Sequence, residues 1–179
     1  MGMGTKSLLW VVGIVAVLAA LALLLPARWE VERDVRIEAP VALVHQHIND
    51  FHAWRDWATP SAGGSAVKYV YEGPSSGVGA VQSWRSRDGK GRMEITRSEP
   101  EGGVWYRAAI DNVEPNGSGS LTYEVDGAAT RVIWRGEGQL WPIIGGIFAG
   151  TVESGVAAYY DYALANLQKL VEAKAAEAG

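Results

Sequence analysis

The sequence predicts an α+β domain in which a curved, seven-stranded antiparallel sheet surrounds a long C-terminal helix, preceded by one transmembrane helix. Three observations support this prediction. An uncharged apolar run lies near the N-terminus, apolar and polar residues then alternate in seven short segments, and the last third changes to a helical spacing. A sheet with one apolar face must cover that face, and the long C-terminal helix is the element available to cover it.

The apolar run is long enough to cross a membrane. Residues 7–25 carry no charge, and 17 of these 19 residues are apolar. As a helix, Leu8 to Leu25 would span about 27 Å, close to the thickness of a bilayer core. The alternative is a cleaved signal peptide that starts at Lys6, but such peptides have apolar cores of only about 7–15 residues. We therefore predict a short tail and a single-pass anchor over residues 1–27. The predicted location is a bacterial inner or plasma membrane, with the domain on the outer face rather than the cytoplasmic one.

The domain itself is predicted over residues 28–172, with a polar tail over residues 173–179. Its first strand carries Val31, Val35 and Ile37 on one face, and Pro40 then favours the first turn of a short helix. Six alternating runs follow, and the short turns between them predict a meander of hairpins. These runs are residues 67–71, 80–85, 92–98, 104–110, 120–125 and 130–138.

Composition excludes several classes of function. The net charge is −4 with both signs mixed along the chain, which argues against a nucleic-acid partner. The chain has no cysteine, so thiol catalysis and thiolate metal sites are excluded. His45, His47 and His52 lie close together, but a helix would place only His45 and His52 on one face, and no third ligand is evident. We therefore expect no metal and no cofactor.

The inner face of the sheet, as the alternation defines it, is rich in aromatic side chains. It carries no carboxylate and no histidine, so we assign no catalytic residue. Tyr and Trp combine an apolar body with a polar group, which suits the wall of a small-molecule pocket, although a filled core is the alternative. The residues assigned to a ligand cavity are Arg33, Tyr69, Gln82, Trp84, Met93, Tyr106, Tyr123, Trp134, Val152 and Tyr159.

Three members of this set carry more specific expectations. Arg33 would pair with an anionic group of the ligand or, alternatively, reach the rim and pair with a surface acid. Trp84 and Trp134 would occupy neighbouring inner positions of the curved sheet.

An uncharged segment from Leu140 to Gly150 precedes the last helix. It is either the buried first half of that helix or a mobile apolar gate over the cavity, because each glycine weakens a helix by roughly 1 kcal/mol relative to alanine. The residues assigned to the gate are Gly145, Gly146, Phe148 and Gly150.

Several short motifs occur together in a characteristic order. They are Ile37-Glu38-Ala39-Pro40, Asn49-Asp50-Phe51 with Trp54 and Trp57, Gly77-Val78-Gly79-Ala80 leading to Trp84, and Thr130-Arg131-Val132 with Trp134. In these motifs the chain resembles the START-like (SRPBCC) superfamily, in particular polyketide cyclase/dehydrase-like proteins with an N-terminal membrane anchor. The resemblance covers about Trp29 to Glu172. It implies a helix-grip fold with a hydrophobic ligand cavity between the sheet and the C-terminal helix.

The residues and the resemblance together favour membrane-anchored binding of a hydrophobic small molecule or lipid. One alternative is a polyketide cyclase/dehydratase-like enzyme, because the superfamily includes cyclases as well as lipid carriers and hormone receptors. A further alternative is a non-catalytic interaction module with a filled core.

Overall fold

A computed structural model of the chain describes residues 10, 13–14, 27–59, 67–87, 89–110, 116–140 and 145–178. From residue 27 onward the described strands are β1 (Arg28–Ile37), β2 (Lys68–Glu72), β3 (Val81–Ser86), β4 (Gly89–Glu99), β5 (Gly103–Ile110), β6 (Gly117–Asp126) and β7 (Ala129–Gln139). The helices of the same part are α1 (Val41–Ile48), α2 (Trp54–Trp57) and α3 (Gly145–Ala178).

All seven strands lie in one antiparallel sheet with the order β1-β7-β6-β5-β4-β3-β2. Strands β2 to β7 form the meander that their short connections predict. β1 pairs with β7 over its full length, with Arg28 opposite Gln139 and Ile37 opposite Thr130. The predicted seven-stranded antiparallel sheet with a long C-terminal helix is therefore confirmed. Because β1 and β2 are the two edges of the sheet, α1 and α2 lie on the part of the chain that runs from one edge to the other.

A β-bulge in β4 changes which residues face inward. The pairing of β4 with β5 shifts between Ile95 and Arg97, and such a shift exchanges the two faces of the strand beyond it. Ser98 accordingly donates a hydrogen bond to Asn49 Oδ1 on the inner side, at 2.6 Å. The Arg97 guanidinium lies 4.2 Å from the centre of the Trp105 ring on the outer side.

The three helices and the inner face of the sheet share one hydrophobic core. α1 follows Pro40 and contributes Val44 and Ile48, both fully buried. α3 packs mainly along β1 and also against α1 and α2. Its buried residues are spaced three or four apart, as expected for a helix with one apolar face. They are Ala157, Tyr160, Ala163, Leu164, Leu167 and Val171.

α3 is longer than the sequence pattern indicates. It begins at Gly145 and continues to Ala178, so residues 173–178, which we assigned to a polar tail, extend the helix. Lys174 and Glu177 in this extension are exposed, whereas Val171 just before it is fully buried. Ala175 between them is half-buried against the core, so this extension keeps one face on the domain and exposes the other.

The predicted membrane anchor lies almost entirely outside the described residues. Within the described part of the chain, no helix is both long enough and apolar enough to span a membrane. Trp10, Gly13, Ile14 and Ala27 are the described residues of the anchor segment, and the first three are helical. Trp10 is 76% exposed and Ile14 is 56% exposed.

Candidate functional site

The outer face of the sheet is charged. Arg107 pairs with Glu94 at 2.8 Å and Arg131 pairs with Asp34 at 2.9 Å, each across neighbouring strands. The hydrogen bond from Arg131 holds the pKa of Asp34 below its usual value. A face covered by solvated ion pairs offers no apolar site, so a hydrophobic ligand has to be sought on the inner face.

One half of the inner face is a filled aromatic core. Trp134 is 1% exposed, stacks on Tyr160 with ring centres 4.0 Å apart, and meets Trp54 and Trp57 edge to face. Its Nε1 donates a hydrogen bond to the Tyr106 hydroxyl at 2.8 Å. Burial raises the pKa of Tyr106, against the effect of its hydrogen bonds with Tyr160 and Trp134. These side chains fill the space between β7 and the helices.

The other half of the inner face is less completely covered. α3 packs along β1, at the edge of the sheet opposite β2 and β3. Toward the β2 edge the inner side chains Tyr69, Tyr71, Trp84, Met93 and Ala108 are half-buried and Gln82 is 6% exposed, whereas Ile95, Val104 and Tyr106 on the same face of β4 and β5 are buried. We call this set the half-open wall; its members are Tyr69, Tyr71, Gln82, Trp84, Met93 and Ala108.

Strand pairing sets the half-open wall in order. Tyr71 lies directly opposite Gln82, Gln82 opposite Met93, and Met93 opposite Ala108, so these four side chains form one row across four strands. Neighbours in such a row have Cβ atoms about 4.5–5.5 Å apart. A single small molecule can therefore touch several of them.

Aromatic rings form the edge of this wall. The rings of Tyr69 and Tyr71 stack with their centres 6.2 Å apart. The Trp84 ring lies against Gly91, where a Cβ atom would overlap it. The Tyr69 hydroxyl is 2.8 Å from Thr59 Oγ1, within hydrogen-bond distance. Glycine at position 91 thus lets the Trp84 ring lie close to the sheet, where it forms a floor.

Two polar atoms of the half-open wall lack a partner. The Tyr71 hydroxyl and Gln82 Oε1 are the buried side-chain atoms of the described residues that make no hydrogen bond. Burial raises the pKa of Tyr71, so its hydroxyl keeps its proton and is a donor. A buried polar group without a partner costs about 1–3 kcal/mol. No hydrogen bond among the described residues offsets this cost.

The remaining predicted cavity residues lie elsewhere. Arg33 forms an ion pair with Asp161 of α3 at 3.2 Å. This agrees with the alternative in which Arg33 reaches the rim and pairs with a surface acid. Val152 is half-buried on α3. The Tyr159 hydroxyl donates to the Ala58 carbonyl at 2.9 Å, which ties α3 to the end of α2.

Trp84 and Trp134 are not neighbours, contrary to our expectation. Trp84 is on β3 and Trp134 is on β7, and three strands separate them in the sheet. Trp134 pairs instead with Arg33 on β1 and Leu121 on β6. The meander keeps strands in chain order, so residues 50 positions apart on different hairpins stay far apart across the sheet.

The residues assigned to a gate form the first turns of α3. Gly145 is buried, Gly146 is half-buried, and Phe148 is 55% exposed. At Gly150 a Cβ atom would meet nothing within 4 Å. The described part of this segment is thus a largely exposed helix end with an apolar surface. It is not the buried first half of the helix that we gave as the alternative to a gate. Its role as a gate stays a prediction.

The list of predicted site residues lacks three side chains at the half-open wall. The alternation places Tyr71 on the inner face with Tyr69, but the assigned cavity residues do not include it. His52 stacks on the Tyr71 ring at 3.9 Å, and its Nδ1 is 2.9 Å from Asp50 Oδ1. Thr59 contacts Tyr69. His52 and Thr59 follow helical segments in the chain, and no local pattern indicates which strand they meet.

His45 is buried in the interior, and its titration should affect stability. It is 9% exposed, and its Nδ1 lies 3.1 Å from the Tyr123 hydroxyl. Burial lowers the pKa of His45 below its ordinary value of 6.5. The unfolded chain therefore binds a proton at this position before the folded chain does. The resulting stability is complete above pH 6.5 and is lost as the pH falls toward the lower pKa of the folded state.

We expect the urea midpoint of the wild type to fall between pH 7.5 and pH 5.5 by more than that of His45→Gln. The Gln side chain can still hydrogen-bond to Tyr123 but does not titrate. His47→Gln on the same helix is the matched control. An equal drop in the wild type and His45→Gln would contradict this assignment.

A curved antiparallel sheet with a long C-terminal helix against its inner face, and an aromatic wall between them, defines a helix-grip domain of the START-like class. A family model described as polyketide cyclase/dehydrase and lipid transport matches residues 28–172. The chain belongs to this family. No curated protein matches the chain.

Solved structures share the fold. The KanY protein superposes with a TM-score of 0.63 at 20% identity, covering 81% of this chain and 98% of KanY. Protein CV1439 from Chromobacterium violaceum has a TM-score of 0.60 at 16% identity, covering 80% of this chain and 96% of its own. DynU16, a protein in the dynemicin biosynthetic locus, has a TM-score of 0.58 at 17% identity. That match covers 80% of this chain and 47% of DynU16, so the chain spans about half of its length. At these identities the likeness concerns the fold alone.

Proposed function

We propose that the domain binds one hydrophobic small molecule or lipid against the half-open wall, and that residues 1–27 tether it to a membrane. The observation that carries the first part is the contrast between the two halves of the inner face. The half under α3 is filled by Trp134 and its neighbours, whereas Tyr69, Tyr71 and Trp84 keep part of their surface accessible. Apolar side chains on a concave wall with a few placed polar groups are typical of a small-molecule site.

The family description supports this proposal, because it names lipid transport as well as cyclase and dehydrase activities. The enzyme is the second candidate. It is favoured by the Asp50–His52 pair beside Tyr71, in which Asp50 orients the ring and leaves the second ring nitrogen free for proton transfer. The members of the half-open wall itself offer hydroxyl, amide, indole and thioether groups, which bind a ligand but do not readily exchange protons at neutral pH.

Binding of the apolar probe N-phenyl-1-naphthylamine tests the proposal. We expect one site per domain, measured by the rise in probe fluorescence. Trp84→Ala removes the floor of the half-open wall and should weaken binding about tenfold, which corresponds to roughly 1.4 kcal/mol of contact free energy. The matched control is Trp105→Ala, because Trp105 is also half-buried but lies on the outer face beneath Arg97. Equal affinities of the two variants, or no saturable site, would contradict the proposed function.

A further inference from the structure

Gln82 and Tyr71 point to the polar part of the ligand. We propose that the half-open wall recognises an uncharged, mainly apolar molecule that carries a hydrogen-bond acceptor, such as a ketone, and a nearby hydroxyl or N–H donor. The acceptor would bind the Tyr71 hydroxyl and the donor would bind Gln82 Oε1. This inference rests on the proposed function and specifies the chemistry of its ligand.

The first support is the missing partners. Gln82 is 94% buried, since its exposed fraction is 6%, yet its Oε1 makes no hydrogen bond among the described residues. The Tyr71 hydroxyl oxygen is also buried and also makes no hydrogen bond among the described residues. Buried polar groups in folded proteins are nearly always hydrogen-bonded, so each exception requires an explanation. A ligand that supplies the partners would recover the cost of both groups.

The second support is position. Tyr71 and Gln82 lie directly opposite each other on β2 and β3, and both belong to the row that runs to Met93 and Ala108. One of the two groups donates and the other accepts, and they are close enough for one ligand to reach both. Other polar atoms nearby are already used, because the Tyr69 hydroxyl binds Thr59. The two atoms therefore form a complementary pair within an apolar wall.

The third support is charge. The phenol of Tyr71 and the amide of Gln82 are both neutral groups at physiological pH. Arg33, a charged side chain on the inner face, lies on β1, with four strands between it and β3, and is already paired with Asp161. The charged side chains that act on Tyr71 are Arg55, Asp50 and Asp56. An anionic ligand group placed at Tyr71 and Gln82 would therefore lose its hydration and meet two carboxylates as well as one guanidinium. The pair thus favours a ketone, hydroxyl or amide over a carboxylate or phosphate.

Three probes with the same tricyclic skeleton separate the two hydrogen bonds. Fluorene carries CH₂ at the variable position, 9-fluorenone carries a carbonyl acceptor, and carbazole carries an N–H donor. Their affinities are measured by displacement of N-phenyl-1-naphthylamine. Tyr71→Phe should weaken binding of fluorenone about five- to tenfold and leave the other two within twofold. Gln82→Met should weaken carbazole by the same factor and leave fluorenone and fluorene within twofold.

Folding stability gives a second, independent readout. Because the Tyr71 hydroxyl and Gln82 Oε1 have no hydrogen-bond partner among the described residues, Tyr71→Phe and Gln82→Met should both unfold at the wild-type urea concentration or above it. Gln46→Met at an exposed position of α1 is the matched control and should leave all three probe affinities within twofold.

The possible outcomes are distinct. If a variant weakens all three probes equally, or if either substitution destabilises the fold, the two groups have a structural role and the inference is overturned. If the probes bind but neither variant discriminates among them, the two atoms are satisfied by water, and the inference fails while the proposed function stands. If no probe displaces N-phenyl-1-naphthylamine, or that probe does not bind, the proposed function fails and this inference with it.

Discussion

Trp134→Ala is expected to lower the free energy of unfolding by about 3–5 kcal/mol, the range for removing a large aromatic side chain from a close-packed core. The Trp134 ring contacts Trp54 and Trp57 of α2 and Tyr159 and Tyr160 of α3, so its neighbours belong to two different helices. These side chains cannot fill the cavity left by the missing indole unless the sheet and α3 move. A domain of this size is stable by about 5–15 kcal/mol, so the variant should be only marginally folded at 37 °C.

A second cost adds to the cavity. Trp134 Nε1 donates to the Tyr106 hydroxyl, and its removal takes a donor from a buried oxygen. Trp134→Phe would keep most of the volume but lose this bond, and should fall between the wild type and Trp134→Ala. Urea unfolding followed by circular dichroism measures the series. Trp105→Ala on the outer face is the control, with an expected loss of less than about 1.5 kcal/mol.

This series also decides between a filled core and a cavity beneath α3. If Trp134 lined an open pocket, its truncation would enlarge existing space and cost little. A loss of less than about 1 kcal/mol for Trp134→Ala would therefore contradict the filled core.

The fold is predictable from the sequence to the extent that it depends on local alternation. The strands at 104–110 and 130–138 agree with the structure to within one residue at each end, because turn residues bound them. Beyond the β4 bulge, the alternation of apolar and polar residues no longer predicts which side chains face inward. Arg97 and Ser98 exchange faces there, since an extra residue in one strand leaves no mark in the hydrophobic pattern.

The candidate site is less predictable because it depends on where α3 lies. The apolar stripe of a helix shows that the helix is buried, but not which strands it covers. As a result Tyr106 and Trp134 were grouped with Tyr69 and Trp84 by their shared face, although the first pair is buried and the second is half-exposed. Arg33 is on the predicted face, but its long side chain reaches Asp161 because β1 is an edge strand beside α3.

The proposed membrane anchor over residues 1–27 is supported by its apolar sequence and by exposed apolar side chains. Residues 7–25 form an uncharged run, and Trp10 and Ile14, which lie on one face of a helix, are largely exposed. Large apolar side chains exposed together have a high cost in water, which contact with lipid would remove. β1 begins only at Arg28, and the carbonyl of Ala27 already accepts a hydrogen bond from the Leu140 amide at 2.8 Å. The folded domain therefore starts at Ala27, the last residue of the proposed anchor segment.

Two arginines in this run are expected to release the full-length protein from membranes. Each charged residue near the centre of a spanning helix costs about 2.5–3.5 kcal/mol of insertion free energy. Val15→Arg combined with Leu18→Arg should then lower membrane partitioning by roughly four orders of magnitude. Because both substitutions precede Arg28, where β1 begins, the released protein should keep its circular dichroism spectrum and bind N-phenyl-1-naphthylamine like the wild type. The control adds the same charge at exposed positions of α3, with Ala173→Arg and Ala176→Arg.

The measurement is the fraction of protein that stays with the membrane pellet after an alkaline carbonate wash. The wild type and the α3 control should remain in the pellet, and the variant with arginines in the run should appear in the supernatant. Release of the wild type by the wash would contradict an anchor. A mature N-terminus between residues 20 and 30 in the native host would instead identify a cleaved signal peptide, because cleavage would remove most of the apolar run before the domain reaches its final location.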